Sequence, residues 1–166
     1  MAATRVPGRR WAVWTAGLVL LGGIAGCADQ APQPIEFAKI EKAWPPNNYL
    51  VCPIDLCTGP TDATSPSYAM PVEKLEALAD AAILSQPGTI KLGGDPARRQ
   101  VIYRQTGLGL SDTIWVQYLA QSPQRSSLAL YSGSGAAYYD FNTNRERADT
   151  WLRAIHDAAG PAVAGD

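Results

Sequence analysis

The chain has 166 residues, of which 46% are hydrophobic, and its 14 basic and 15 acidic side chains give a net charge of −1. This length accommodates one domain with a substantial core, but not two. No basic tail or basic stripe interleaved with aromatic residues is present, which argues against a nucleic-acid partner.

Residues 1–26 have the three parts of a bacterial secretory signal peptide. The basic residues Arg5, Arg9 and Arg10 precede an apolar run from Trp11 to about Ile24. The run is shorter than the roughly 20 apolar residues of a spanning helix, and glycines interrupt it. It therefore predicts export followed by cleavage, not a transmembrane helix.

The end of this signal resembles a lipobox, the recognition sequence of bacterial lipoproteins. Ile24, Ala25 and Gly26 supply the aliphatic and small residues that precede the acceptor, Cys27. We expect Cys27 to carry acyl chains such as palmitate and to anchor the protein in a bilayer of the cell envelope. A plain cleaved signal and an uncleaved anchor are the alternatives. By resemblance to enterobacterial lipoproteins, Ala28 after the cysteine favours the outer membrane, with the protein facing the periplasm.

Cleavage before Cys27 removes three of the 14 basic residues and leaves 11 against 15 acidic ones, a net charge of about −4. Residues 27–48, which include Pro32, Pro34, Pro45 and Pro46, predict a flexible spacer after the lipidated cysteine. An apolar patch in this stretch leaves open a helical turn packed on the domain, with the residues Ile35, Phe37, Ile40 and Trp44.

Cys52 and Cys57 lie five residues apart in a proline-containing loop. In an oxidising envelope this pair predicts a disulfide, which would stabilise the fold by about 2 kcal/mol because it closes a short loop. A redox dithiol or a soft-metal site is the alternative. A redox motif usually has two residues between its cysteines, and a metal site needs further ligands.

Residues 49–160 predict a single α+β domain, with residues 161–166 as a tail. A first helix follows Pro71 and stops at Pro87-Gly88, with one apolar face formed by Val72, Leu75, Leu78, Ala79, Ala82 and Ile83. Four strands follow at Thr89 to Leu92, Arg99 to Gln105, Thr113 to Ala120 and Arg125 to Ser132. Turn residues separate them, among them Gly93 to Pro96 and Gly107 to Gly109.

The third strand alternates Ile114, Val116 and Tyr118 with Trp115, Gln117 and Leu119, so one face is expected to pack against helices. A second helix is predicted from Thr143, as the N-cap of a capping box with Glu146, to Gly160-Pro161. Its apolar stripe contains Ala148, Trp151, Leu152, Ile155 and Ala159. The predicted fold is an antiparallel four-stranded meander covered by two helices.

A resemblance to a known family lies in the strand from Ala129 to Ser134, the turn from Asp140 to Arg147 and the pair Trp151-Leu152. These segments resemble the bacterial family catalogued as domain of unknown function 1499. Its signature is a serine-bearing strand, an Asp-x-Gly-x-Asn-Arg-x-Arg turn and a Trp-Leu helix. The resemblance covers roughly residues 45 to 155 and implies no particular reaction. Asn142 stands where that family has glycine, and asparagine is the next most tolerant residue for left-handed backbone.

The candidate ligand-binding residues are Ser132, Ser134, Asp140, Asn144, Arg145 and Arg147. They surround the start of the second helix, where free backbone N–H groups and two arginines favour a carboxylate or phosphate. The alternative is structural, with Asp140 and Asn144 satisfying the turn, one arginine paired with Asp140 and the serines on a strand face.

For catalysis the sequence offers only His156, far in sequence from any serine in a nucleophile elbow. Walker, zinc, dinucleotide and Gly-x-Ser-x-Gly motifs are not found, so we predict neither a cofactor nor a metal. The strands and the loop after them are rich in aromatic residues, namely Tyr103, Trp115, Tyr118, Tyr131, Tyr138 and Tyr139. They fit either an ordinary core or an apolar cavity.

The sequence thus predicts a membrane-anchored envelope lipoprotein whose domain binds an envelope protein or a small anionic ligand without catalysis. A carrier of a lipid or small apolar molecule is the alternative, and a hydrolase-type enzyme is the second alternative.

Overall fold

The computed structural model describes residues 31–41, 47–107, 110–134 and 139–163. The predicted signal peptide and Cys27 lie outside them, as do Trp44 and Tyr138. The described residues form an α+β fold with one mixed seven-stranded sheet and two α-helices. The strands are β1 (Asn48–Cys52), β2 (Ala63–Thr64), β3 (Ser67–Tyr68), β4 (Thr89–Asp95), β5 (Gln100–Gly107), β6 (Leu110–Ser122) and β7 (Arg125–Ser134). The helices are α1 (Val72–Leu84) and α2 (Thr143–Ala159).

The sheet has the strand order β2-β1-β7-β6-β5-β4, and β3 pairs separately with β7. The predicted antiparallel meander is confirmed as β4 to β7, and it accounts for only part of the sheet. Strand β1 extends the sheet antiparallel to β7, and β2 runs parallel to β1. These added strands have two to five residues and include none of the alternating patterns that mark β6. These segments are strands because β1 and β3 pair with the long strand β7 and β2 pairs with β1, and their own sequences do not indicate it.

Both helices pack on one face of the sheet, as the alternation in β6 predicts. The core there contains Ile114, Val116 and Tyr118 from the sheet, with the α1 and α2 stripes against them. Trp151 is the largest side chain buried in it. None of the described helices is long and apolar enough to cross a membrane.

The predicted turn at Gly93 to Pro96 is wrong in its bounds. Gly93, Gly94 and Asp95 belong to β4, and the turn is a single 3-10 turn at Pro96–Arg98. A register shift between Lys91 and Gly93 lets the glycines stay in the strand. Gly94 has a φ of 156°, and a Cβ there would meet the carbonyl oxygen of Gln100 at 2.0 Å, so only glycine fits.

The opposite face of the sheet, here called the outer face, is covered by chain that is mostly irregular in the described residues. Residues 31–41 of the predicted spacer pack on it, and Phe37 is buried against Leu50, Cys52 and Ala129. The possible helical turn in this stretch is a 3-10 turn at Phe37–Lys39. A hydrogen bond also holds the segment on the sheet: the Trp115 indole N–H donates to the Gln33 carbonyl at 2.9 Å. This part of the stretch is therefore a packed element of the domain.

The predicted disulfide is confirmed, and it closes a loop on the same outer face. Cys52 and Cys57 are bonded, with their Cα atoms 6.2 Å apart. Leu56 and Cys57 pack against the cluster around Phe37. In the predicted tail, the Val163 N–H donates to the Ser67 carbonyl at 2.8 Å.

Candidate functional site

Helix α2 begins in a left-handed turn that Asp140 caps. Phe141 and Asn142 have φ values of 51° and 66°, so Asn142 adopts the conformation expected of a glycine substitute. The Asp140 carboxylate accepts from the N–H groups of Asn142 and Asn144, both at 3.1 Å. The predicted capping box is wrong, since Asn142 is the N-cap and makes no side-chain cap bond. The free N–H groups expected to attract an anion are thus partly taken by the chain's own carboxylate.

Asn144, in the first turn of α2, is fully buried and joins three parts of the chain. Its Nδ2 donates to the Asn47 carbonyl and to the Asp140 carboxylate, each at 2.7 Å. Its Oδ1 accepts from the hydroxyl of Ser132 at 2.7 Å. The start of α2 is therefore attached to β7 and to the residue before β1.

Arg147, one turn later, extends the same bonding across three strands. Its Nε donates to Gln105 Oε1 at 2.7 Å, and its Nη1 donates to Ser132 Oγ at 2.9 Å. Its Nη2 forms an ion pair with Asp112. The Arg147 side chain is only 7% exposed. The guanidinium has its charge neutralised and its donors used inside the protein, as a buried arginine requires.

We call this set the Arg147 network, with the members Gln105, Asp112, Ser132, Asp140, Asn144 and Arg147. Four of the six predicted ligand-binding residues belong to it, and their contacts are those of the structural alternative. One detail of that alternative is wrong, because Arg147 pairs with Asp112 and not with Asp140. Arg145 lies apart, 64% exposed and 3.7 Å from Asp149. The side chain of Ser134 lies outside the described part of the chain.

Asp112 and Gln105 are site residues that the sequence interpretation missed. They are register partners across the β5–β6 hairpin. Asp112 continues the inward alternation of Ile114, Val116 and Tyr118 toward the strand's start. A carboxylate at an inward position needs a buried cation, and this pattern was the available signal.

A cleft of about 710 Å³ lies beside the network, and most of its surface is carbon. It is open between the ends of β5 and β6, the N-terminal half of α2 and the turn before α2. Its apolar lining consists of Pro87, Leu110, Tyr139, Phe141 and Trp151. Gln105, Asp112 and Arg147 contribute its internally paired polar surface. This volume lies in the range of small-molecule sites.

The rim of the cleft carries large apolar side chains exposed to solvent. Phe141 is 80% exposed, Leu110 60% and Tyr139 49%. The Tyr139 and Phe141 rings meet edge to face with centroids 5.1 Å apart. The left-handed backbone of Phe141 is uncommon for an aromatic residue, and strain of this kind is concentrated at functional sites.

Trp151 lines the cleft from within the core. It has no exposed surface, and its ring packs edge to face on Tyr103 with centroids 5.6 Å apart. Its indole N–H has no hydrogen-bond partner among the described residues. This is unusual, because buried polar groups are nearly always paired.

The expected strand aromatics do not line the cleft. Tyr103 and Tyr118 are buried in the core with their hydroxyls 3.3 Å apart, and Tyr103 also donates to Asp80 at 2.6 Å. Burial raises the pKa of both tyrosines far above the usual 10. Trp115 and Tyr131 lie together on the outer face. Of the six aromatic residues listed for the strands and the loop after them, Tyr139 is the described one that lines the cleft.

The polar side chains that the cleft shares with the Arg147 network are bonded to one another. Ser132 is buried, and its hydroxyl is bonded to Asn144 and Arg147. His156 is exposed on α2 and is not a lining residue. The described residues contain no group of histidine, cysteine or carboxylate side chains suited to a metal ion.

Neither a protein-family model nor a curated protein matches this chain.

Proposed function

We propose that this protein is an envelope lipoprotein, anchored through acylated Cys27, whose domain carries a small, largely apolar molecule in the cleft. The observation that supports this proposal most is the cleft itself, with about 710 Å³ of space and a lining that is mostly carbon. Carbon-lined concavities of this size bind apolar ligands by removing their surface from water.

The proposed location rests on the sequence. The arginines before the apolar run and the match of Ile24 to Cys27 with a lipobox support export and acylation. The disulfide fits an oxidising compartment such as the periplasm. Ala28 follows the lipidated cysteine, and by resemblance to enterobacterial lipoproteins this residue favours an anchor in the outer membrane, with the domain facing the periplasm.

The charges around the cleft favour an apolar ligand over the small anionic ligand considered first from the sequence. Arg147 is neutralised by Asp112, and Arg145 is not a lining residue. The remaining charged lining residues, Asp140 and Glu146, are both acidic. An anion would therefore meet repulsion without a free cation to offset it.

We also infer that the chain is a divergent relative of domain of unknown function 1499. Ser132, Asp140, Asn144 and Arg147, on which that resemblance rests, are bonded to one another in the Arg147 network. These hydrogen bonds explain why the residues of the motif occur together, since each polar side chain supplies a hydrogen-bond partner for another.

Ligand binding is tested with the full chain carrying Cys27→Ala, exported but without a lipid. Nile red, a neutral apolar dye, should fluoresce on binding, and Thr150→Trp should abolish the signal. Thr150 is exposed and lines the cleft, so a bulky side chain there occupies ligand space without entering the core. Native mass spectrometry of the same proteins should show a small-molecule adduct that Thr150→Trp lacks.

The matched control is Ala158→Trp, at an exposed position near the end of the same helix and outside the cleft. It should bind the dye as the parent does. Equal binding by both tryptophan variants would contradict the proposed site. Acylation is tested separately by labelling cells with a palmitate analogue, which should mark the wild type and not Cys27→Ala.

A further inference from the structure

We infer that the carried molecule has a neutral hydrogen-bond acceptor, such as an ester, ketone or ether oxygen, that pairs with the indole N–H of Trp151. This inference rests on the proposed carrier function and specifies the class of ligand.

The observation behind it is the unpaired donor. An indole nitrogen can only donate, so only an acceptor can satisfy it. The other tryptophan that the structure describes, Trp115, has its N–H paired with the Gln33 carbonyl at 2.9 Å. Among the described residues Trp151 has no such partner although it is completely buried, and it is also the described tryptophan that lines the cleft. A ligand oxygen in the cleft would supply the missing acceptor.

The surrounding charges determine that this acceptor is neutral. A carboxylate placed near Trp151 would share the cleft with Asp140 and Glu146, while Arg147 is already paired with Asp112. A neutral oxygen accepts the same hydrogen bond without this repulsion.

The rest of the ligand has an apolar environment. Leu110, Tyr139 and Phe141 line the cleft toward solvent and are themselves largely exposed, so an apolar chain would cover them. Trp151 has no exposed surface in the free protein. The ligand oxygen therefore reaches it after a side chain of the cleft changes rotamer, a common adjustment on binding.

The test compares methyl decanoate, decane and decanoate, which differ in the polar end alone. Each is titrated into the full-length Cys27→Ala protein in competition with Nile red. We expect methyl decanoate to bind about fivefold more tightly than decane, the net effect of one buried hydrogen bond. Decanoate should bind more weakly than the ester. The Trp151 indole proton, assigned by triple-resonance experiments, should shift downfield in the NMR spectrum with the ester and not with decane.

Trp151→Phe should remove the preference for the ester over decane while leaving decane binding in place. Trp115→Phe is the control, since that N–H is paired on the outer face, and it should keep the preference. If Trp151→Phe does not fold, the indole proton shift of the parent still decides the question. Equal binding of ester and decane with an unmoved indole proton, or tightest binding of decanoate, would overturn the inference and leave the carrier function intact. If the dye itself does not bind and native mass spectrometry shows no adduct, the proposed carrier function is contradicted, and the inference about its ligand falls with it.

Discussion

The two faces of the sheet are covered by different means, and the difference shows where ligand space can exist in this fold. On the helical face, α1 and α2 provide a regular apolar layer that includes Trp151. On the outer face, a short irregular segment with Phe37 and a disulfide loop cover the sheet. Helices are stiff cylinders and cover a twisted sheet unevenly, which leaves a cleft where α2 begins and the β5–β6 hairpin ends.

Polar bonding differs between the faces in the same way. The outer segment is attached by separate bonds between its main chain and side chains of the sheet, such as Trp115 to Gln33 and the reciprocal bonds of Gln100 with Ile35 at 2.8 and 2.9 Å. The helical face instead has the Arg147 network, in which one buried cation bonds to three strands. We infer that the network holds the wall of the cleft in place, since α2 has few apolar side chains in its first turn to do so.

Arg147→Met should have the largest effect on stability. It removes the cation and leaves the buried Asp112 carboxylate without its arginine, a change that costs about 3–5 kcal/mol. Urea denaturation of the full-length Cys27→Ala protein measures it as a fall in the free energy of unfolding.

The control for this variant is Arg145→Met, two positions away in the same turn. Arg145 is 64% exposed and its partner Asp149 is 3.7 Å away, so the loss should be under about 0.5 kcal/mol. The double variant Arg147→Met with Asp112→Asn should recover about 2 kcal/mol, because the buried charge is removed along with its partner. Equal losses in the two arginine variants would show that the network does not hold α2.

Replacing Cys52 and Cys57 by serine should have an intermediate effect, confined to the outer face. Opening this short loop costs about 2 kcal/mol on the chain-entropy model. The same variant should expose residues 31–41 to protease, since Leu56 and Cys57 pack on the cluster around Phe37. Binding of Nile red in the cleft should stay unchanged. Loss of dye binding would mean that the two faces are coupled.

The sequence alone predicts much of the helical face, because the apolar residues there recur with the period of the helix or strand that buries them. The alternation around Ile114 and Val116 and the stripes of both helices predicted the elements in place to within a few residues. The strands β1, β2 and β3 were not predicted, because alternation of apolar and polar residues cannot be recognised in segments of two to five residues. The packed segment at Phe37 escaped for the same reason, although its apolar residues were visible.

Four of the six candidate residues lie in the Arg147 network, while their role as ligand-binding residues stays a prediction. Ser132, Asp140 and Asn144 are close in sequence, and they converge because β7 packs against the start of α2. Asp112 and Gln105 lie about 35 to 42 residues from Arg147 and meet it only through the hairpin register. Side-chain pairing at that separation depends on the tertiary fold, so spacing along the chain cannot reveal it. The cleft likewise arises from the gap between elements and has no motif of its own.

Alkaline pH offers the finest comparison of the two faces, through Tyr118 on the helical face and Tyr131 on the outer face. Burial raises the pKa of both hydroxyls in the folded protein, and the shift is large for Tyr118. Below about pH 10 both states keep the proton and the group has no effect on pH dependence. Above it the unfolded tyrosine ionises and the folded one does not, so stability falls by about 1.4 kcal/mol per pH unit for each such group.

Tyr118→Phe should therefore make the decline of unfolding free energy above about pH 10 shallower by roughly that amount. Tyr131→Phe should flatten it less, because Tyr131 is only partly buried and the rise in its pKa is smaller than that of Tyr118. Urea denaturation from neutral pH to about pH 11 measures both slopes. Equal slopes in the two variants would mean that the helical layer excludes water no better than the irregular segment. In that case the cleft could not be attributed to the way in which rigid helices cover the sheet.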